Sequence, residues 1–239
     1  VSGGQDSIAL LALLQDLAPL HGWSLSLWHG DHRWHDGSSR IAAELRAWCQ
    51  QRQLPLQVDQ AVPGQVPSEA TARQWRYERL AQRAREAGAD VVTGHTASDR
   101  AETMLLQLAR GSDLAGLAAL PSVRPLSPEG PHLRRPLLHL QRHDTLQICQ
   151  DLALPIWDDP SNQSADFARN RIRQEVLPVL EDLHPGCSLR MSDLAERVSQ
   201  VRDSQTELSR MALELLQTPA GLDRRGLGAL NPATRRLLL

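Results

Sequence analysis

Over its first 160 residues the chain alternates short apolar runs with stretches of helical periodicity, and this alternation restricts the fold more than any other feature. Ser7–Leu17 reads as a dense apolar helix, Trp23–Trp28 as a short strand and Ser38–Gln53 as a helix. Leu56–Val58 is a second strand, Ser68–Ala87 a helix, Asp90–Gly94 a third strand and Ser98–Arg110 a helix. Strands separated by helices pair in parallel. The pattern therefore predicts an α/β domain, a mostly parallel sheet flanked by helices, with ligands received beyond the carboxyl ends of the strands. Pro121–Pro136 reads as turns with a hairpin, Leu140–Leu152 as a helix, Asp158–Asn162 as a turn and Ala165–Leu183 as a helix. Pro185-Gly186 then marks a boundary between a domain of residues 1–184 and a small helical region of residues 185–239.

Composition narrows the chemistry. The 239 residues carry 26 basic and 28 acidic side chains, a net charge of -2, so nucleic acid must be met by local patches. All 26 basic residues are Arg, which removes Walker-type phosphate loops, kinase sites and Schiff-base chemistry, each of which needs a Lys. Cys49, Cys149 and Cys187 form no CxxC pair, arguing against a cysteine zinc site or thiol-based sulfur transfer and for a reducing, cytoplasmic setting. No run of about 18 apolar residues is present, so no membrane span is expected. The eight aromatic residues are scattered, without the stacking array of single-strand binders.

The segment Ser2-Gly3-Gly4-Gln5-Asp6-Ser7 stands directly before an apolar helix. Two glycines allow a tight turn and close approach to a ligand, and the N–H groups and dipole of the following helix favour an anion. Phosphate binding and a plain helix cap are both open on loop chemistry alone. Ser-Gly-Gly-x-Asp-Ser resembles the signature of the PP-loop ATP pyrophosphatases, in which this loop grips the pyrophosphate end of ATP without a Lys. The resemblance implies ATP bound at Ser2, Gly3, Gly4, Gln5, Asp6 and Ser7. In that family a strand precedes the loop; here only Val1 stands before it, so the first strand and further C-terminal domains are expected to lie outside this sequence.

His95-Thr96-Ala97-Ser98-Asp99-Arg100-Ala101-Glu102-Thr103, continuing to Leu105-Leu106 and Arg110-Gly111, resembles the second signature of the tRNA(Ile)-lysidine synthetase family. That signature is His-x-x-Asp-Asp-Gln-x-Glu-Thr, so Ser98 replaces an Asp and Arg100 a Gln. Asp99 and Glu102, three residues apart, share a helix face, with Ala101, Met104, Leu105 and Leu108 forming an apolar stripe on another. Two acids here suit Mg2+ or a substrate ammonium; they would equally complement a helix dipole.

Glu69-Ala70, Ala72-Arg73 and Arg76-Tyr77 resemble the same family's Glu-Ala-x-Ala-Arg-x-x-Arg-Tyr helix. Arg73 and Arg76 lie one turn apart, with Tyr77, Leu80, Ala81 and Ala84 facing a core. Asp159-Pro160-Ser161-Asn162 followed by Arg169-Asn170-Arg171-Ile172-Arg173 and Leu177-Pro178 matches a further family block. Placing Ile172, Val176 and Val179 inward leaves Arg169 and Arg173 together outside, a basic patch for a tRNA backbone or a solvated face with i,i+4 pairs such as Arg171–Glu175. Asp31-His32 falls where the family carries Asp-His. The nearby His29, His32 and His35 lack a spaced third and fourth ligand for a transition metal.

The resemblance implies a ligase. ATP adenylates the wobble cytidine of the CAU-anticodon tRNA(Ile), and the ε-amine of free L-lysine then displaces AMP. It assigns catalysis to Asp6, Asp99 and Glu102, Mg2+ to Asp6 and Asp99, and tRNA or α-phosphate contacts to Arg73, Arg76, Arg169 and Arg173. Two alternatives stay open: another PP-loop enzyme, such as a tRNA thiolase or amidating ligase, and a non-catalytic RNA-binding descendant. The second is kept alive by Ser98 and Arg100, the latter a cation that could repel a lysine ammonium.

Overall fold

The computed structural model describes residues 1–33, 36–62, 64–66, 68–128, 130–157, 168–219 and 221–238. Its strands form two parallel ladders. β1 (Leu27–Asp31) alternates buried and half-buried side chains and pairs in parallel with β2 (Leu56–Gln60), from Leu27 opposite Leu56 to Asp31 opposite Gln60. The crossover between them is α2 (Asp36–Gln51), as a parallel pair requires. β3 (Val91–Val92) pairs in parallel with β5 (His132–Arg134), and β4 (Val123–Pro125) returns antiparallel to β5 as the hairpin expected in the Pro-rich stretch. The alternation read from sequence thus holds, but β1 is displaced from the expected Trp23–Trp28 to Leu27–Asp31, β2 extends beyond the expected Leu56–Val58, and β3 is shorter than the expected Asp90–Gly94.

α1 (Gln5–His21) starts between the two ladders. The Val1 nitrogen donates to the Trp28 carbonyl on β1 at 2.5 Å. On the other side Gly94, just past β3, packs so tightly against the first turn of α1 that a Cβ there would stand 2.6 Å from the Asp6 carbonyl oxygen. Ile8, Ala9 and Leu11 then enter a core with Leu27, Leu45, Cys49 and Cys149. Gly22 ends the helix in the left-handed conformation at φ 64°, one that glycine adopts without a Cβ clash.

α3 (Glu69–Ala87) opens with a reciprocal Ser68–Thr71 cap and buries Ala72, Trp75, Leu80, Ala81 and Ala84, with Tyr77 half-buried. α4 (Ala97–Ala109) follows β3 and α6 (Arg142–Asp151) packs on α1; the short α5 (Leu114–Leu117) carries no periodic signal in the sequence. α4 departs from the expected stripe. Ala101 and Met104 are buried, but Leu108 is 51% exposed, and Asp99, Arg100 and Glu102 are buried instead. The first turns of α4 are enclosed on several faces, so polar side chains there must find protein partners.

The chain then runs through α7 (Ala168–Arg171), a π-helical turn at Ile172–Val176, and α8 (Leu177–Leu183). The π turn overturns the facing predicted for this segment. Val176 and Val179 are 40% and 56% exposed, Asn170 and Leu177 are buried, and Arg169 and Arg173 point inward. An i→i+5 turn inserts a residue into the helical register and rotates every later side chain, which 3.6-residue periodicity cannot anticipate. The Asp158–Asn162 turn and the start of the expected Ala165–Leu183 helix lie outside the described residues, as does His35.

α9 (Cys187–Leu216) is one helix of 30 residues. Its buried face, Ser188, Ser192, Ala195 and Ser199, is small, and it packs on α4. Its first turn has no capping side chain of its own; Glu181 of α8 accepts from the N–H groups of Gly186, Cys187 and Ser188 at 2.6, 3.2 and 2.9 Å. A short hairpin of β6 (Gln217–Thr218) and β7 (Gly221–Leu222) leads to α10 (Arg224–Ala229) and α11 (Pro232–Leu238). Among the described residues no helix is long and apolar enough to cross a membrane.

Candidate functional site

The glycine loop lies across the carboxyl ends of the strands. Gly3 has φ +90°, a conformation L side chains rarely adopt, and its carbonyl accepts from the Trp157 N–H at 3.0 Å. Ser7 Oγ donates to the Gly4 carbonyl at 2.9 Å and accepts from the Ser2 N–H at 3.1 Å, closing the loop on itself. The Gln5 side chain turns away, donating to the Arg142 carbonyl and to Thr145 Oγ1 on α6. Gln5 therefore offers a ligand only its backbone. What remains is a bare glycine turn at a helix N-terminus, where unpaired N–H groups and the dipole attract an anion.

Asp6 stands in the first turn of α1. Thr145 Oγ1 donates to its Oδ1 at 2.5 Å, and Arg142 lies 3.5 Å from its Oδ2. Burial raises its pKa, Thr145 opposes this, and the charge of Asp99 raises it further. Asp6 and Asp99 are thus near enough for their charges to repel. Such a pair suits a cation between them, a fit that the resemblance to an Mg2+-using family also implies.

Asp99 divides its two oxygens. Oδ2 caps α4, accepting from the Thr96 N–H at 2.9 Å, so the helix-cap reading is true of that atom. Oδ1 accepts from Arg169 Nη2 at 2.9 Å and from Arg173 Nη2 at 3.3 Å. Glu102, 1% exposed, takes Arg169 Nε on Oε2 at 2.7 Å and Arg173 Nε on Oε1 at 2.6 Å. Burial alone would raise the Asp99 pKa, but Arg169, His95, the Thr96 N–H and Arg173 together hold it below the ordinary value. Burial lowers the pKa of neighbouring His95, leaving its ring neutral near pH 7, with Nδ1 2.9 Å from Thr93 Oγ1. Two carboxylates and two guanidiniums form a closed four-charge cluster. The expectation of Arg169 and Arg173 as an outward patch is corrected: their side chains are 23% and 22% exposed and directed at the acid pair.

The two departures from the family signature have structural accounts. Arg100, 1% exposed, points to the opposite side of α4 from the acid pair. It donates to the Leu120 and Ser192 carbonyls and pairs with Glu196 Oε2 at 2.9 Å, tying α4 to α9. It does not confront a ligand of Asp99 and Glu102. Ser98 Oγ accepts from the Arg142 N–H at 3.2 Å, fixing α6 beside the loop.

Of the other predicted residues, Arg76 Nη2 is 3.0 Å from His32 Nε2, and Arg73 stacks on Tyr77. Asp31 is 1% exposed and accepts from Arg33 N–H, Ser39 and Gln60, so it braces the end of β1. His29 is buried, its Nδ1 2.9 Å from the Val1 carbonyl. Among the described residues no group of three or more His, Cys, Asp or Glu is placed to hold a metal. The Asp159-Pro160-Ser161-Asn162 block lies outside the described residues. Sequence reasoning missed Arg142 and Thr145, which no motif marks; only their place in the first turns of the helix packed on the loop points to them.

This loop on this sheet defines a PP-loop ATP-binding fold, and the PP-loop domain family matches residues 1–180. A U34-tRNA thiolase from Methanococcus maripaludis shares the fold at a TM-score of 0.68 and 17% identity, covering 83% of this chain and 69% of that one. A tRNA(Ile)-lysidine synthase from Parasynechococcus marenigrum is 70% identical over all of this chain, which spans 72% of its length. Another from Prochlorococcus marinus is 43% identical, again over the whole chain and 73% of that relative. The chain belongs to the tRNA(Ile)-lysidine synthase family.

Proposed function

We propose that the protein ligates L-lysine to C2 of the wobble cytidine in the CAU anticodon of tRNA(Ile), using ATP and releasing AMP and pyrophosphate. The observation that supports this reading is the nearness of Asp99 to Asp6 of the loop, close enough for the charge of one to raise the pKa of the other, together with the 70% identity to a tRNA(Ile)-lysidine synthase.

The reaction has two displacements. The cytidine O2 attacks the α-phosphorus of ATP and pyrophosphate leaves; the lysine ε-amine then attacks C2 and AMP leaves. The loop backbone and the α1 N-terminus stabilise the charge that gathers on the departing pyrophosphate. Mg2+, held by Asp6 and Asp99, supplies positive charge to the phosphate oxygens when bound. As the alternative to Asp99 serving Mg2+, Asp99 and Glu102 hold the lysine ammonium and receive the proton it must lose before its amine becomes nucleophilic. Arg169 and Arg173 neutralise the acids, and their planar forks are suited to phosphate oxygens. The target base leaves its stack to reach the loop. Three buried, unpaired cysteines fit work in the cytoplasm.

The non-catalytic alternative loses its basis, since Ser98 and Arg100 leave the acid pair intact. The test is ATP-dependent incorporation of labelled lysine into CAU-anticodon tRNA(Ile). Protein that binds ATP and this tRNA but transfers no lysine would refute the assignment.

A further inference from the structure

A second group of arginines gathers where β5 ends, sharing no residue with the loop or the acid pair. At its centre is Tyr77 of α3. The Arg124 guanidinium carbon lies 4.6 Å from its ring centroid and that of Arg73 lies 5.2 Å away. Arg135, the residue after β5, is 3% exposed; its Nη1 donates to the Pro121 carbonyl at 2.6 Å and its Nε has no hydrogen-bond partner among the described residues. Arg73 is exposed and Arg124 half-buried, so the group runs from the surface inward.

What separates this group from the other enclosed arginines is that, among the described residues, it lacks a counter-ion. Arg100 has Glu196, and Arg169 and Arg173 have Asp99 and Glu102. Among the described residues no carboxylate lies within 4.0 Å of Arg73, Arg124 or Arg135. A buried guanidinium with an unused donor and no anion is costly, and such positions persist where something outside the chain completes them. Burial lowers the Arg135 pKa. Burial would raise that of the Tyr77 phenol, yet the arginines around it hold it below its ordinary value. The effect on Tyr77 reflects the positive charge gathered around it.

The group's place in the fold says what it faces. β3 and β5 are parallel neighbours, so Arg135 leaves the sheet at the same end as His95 and Asp99, the edge where such folds receive ligands. Arg135 and Arg73 are near enough to His95 to act on its charge. We infer that Arg73, Arg124 and Arg135, set around Tyr77, form a second phosphate-binding site bordering the acid pair, filled by a phosphate of the reacting nucleotides. Planar forks match phosphate oxygens in pairs, and the exposed outer end admits a bulky ligand. The phosphate comes either from the tRNA backbone beside the target base or from ATP. The site rests on the proposed function for its ligands, not for its geometry.

The test uses the whole chain carrying Arg124→Glu or Arg73→Glu, both away from the core, with Arg135→Gln as a third variant. Affinity for CAU-anticodon tRNA(Ile) is measured by filter binding across salt concentrations, and affinity for ATP by equilibrium dialysis. A fall of roughly tenfold or more for tRNA, with a log–log salt slope shallower by about 0.9 for each phosphate no longer neutralised, assigns the site to the tRNA backbone. The same fall for ATP, with tRNA binding intact, assigns it to the nucleotide. Both affinities within about twofold of wild type in the Arg73→Glu and Arg124→Glu variants, or a wild-type protein that binds neither ligand, would overturn the site. Lysine incorporation by the wild type is read alongside. If it fails while Arg124→Glu still weakens binding of a phosphate ligand, the proposed reaction is wrong and the site stands.

Discussion

Arg173 grips Glu102 with two prongs, Nε to Oε1 at 2.6 Å and Nη2 to Oε2 at 2.9 Å. The pair joins residues 71 apart in the chain and closes the acid side of the cleft. Glu102 is almost wholly enclosed, so without Arg173 its charge and that of Asp99 are left to the single guanidinium of Arg169. Arg173→Ala is therefore expected to destabilise the protein by on the order of 3 kcal/mol, read as a lower urea midpoint. Adding Glu102→Gln to that variant leaves one carboxylate, Asp99, for the one remaining guanidinium, Arg169, and should recover part of the stability. A single variant as stable as wild type would mean that the pair is not formed in solution.

Gly94 touches the loop from the other side. A Cβ there would lie 2.6 Å from the Asp6 carbonyl oxygen and 2.8 Å from its carbon, both backbone atoms that cannot swing away. Gly94→Ala must push the first turn of α1 off the strand end and take the loop with it. The expected result is a roughly 10- to 100-fold drop in kcat/KM for ATP in pyrophosphate-release assays. Unchanged kinetics would show that the loop's position against β3 does not matter.

Glu181 gives a pH dependence with a defined sign. Burial tends to raise its pKa, but donors from Gly186, Cys187 and Ser188 prevail and lower it to about 2. A carboxylate depressed in the folded state binds fewer protons there than in the unfolded chain. Its stabilisation is therefore present above the ordinary Glu value and fades as pH falls toward about 2. Glu181→Gln should cost about 1–2 kcal/mol at pH 7, with the gap from wild type narrowing below pH 4.5. Chemical unfolding monitored by far-UV circular dichroism checks this. A gap that stays constant from about pH 7 to about pH 3 would show that the carboxylate charge does not anchor α9.

How much of this could be read beforehand follows from the distance over which each signal acts. The Ser2–Ser7 loop and the pairing of Asp99 with Glu102 are contiguous motifs on local elements, so their spacing carried them. The arginines that hold those acids lie 67 to 74 residues away, and a π turn at Ile172–Val176 breaks the regular helical facing from which an outward Arg173 is predicted. Arg100 reads as an intrusive charge in the sequence because its partners, Leu120, Ser192 and Glu196, are 20 to 96 residues distant. The long α9 gives a weak signal because its buried face is Ser and Ala rather than large apolar residues. The Tyr77 arginine group is half visible. Arg73 and Tyr77 share a helix, but Arg124 and Arg135 join them only when the β4–β5 hairpin forms.

The most direct test of the central claim measures two steps in one reaction for Glu102→Gln, a near-isosteric change that removes the charge and keeps the shape. With ATP, CAU-anticodon tRNA(Ile) and labelled lysine, the tRNA-dependent release of pyrophosphate should survive, since the loop and Asp6 are untouched. Lysine incorporation should fall by roughly 100-fold or more. Incorporation within a few-fold of wild type would contradict the placement of lysine activation at this acid pair.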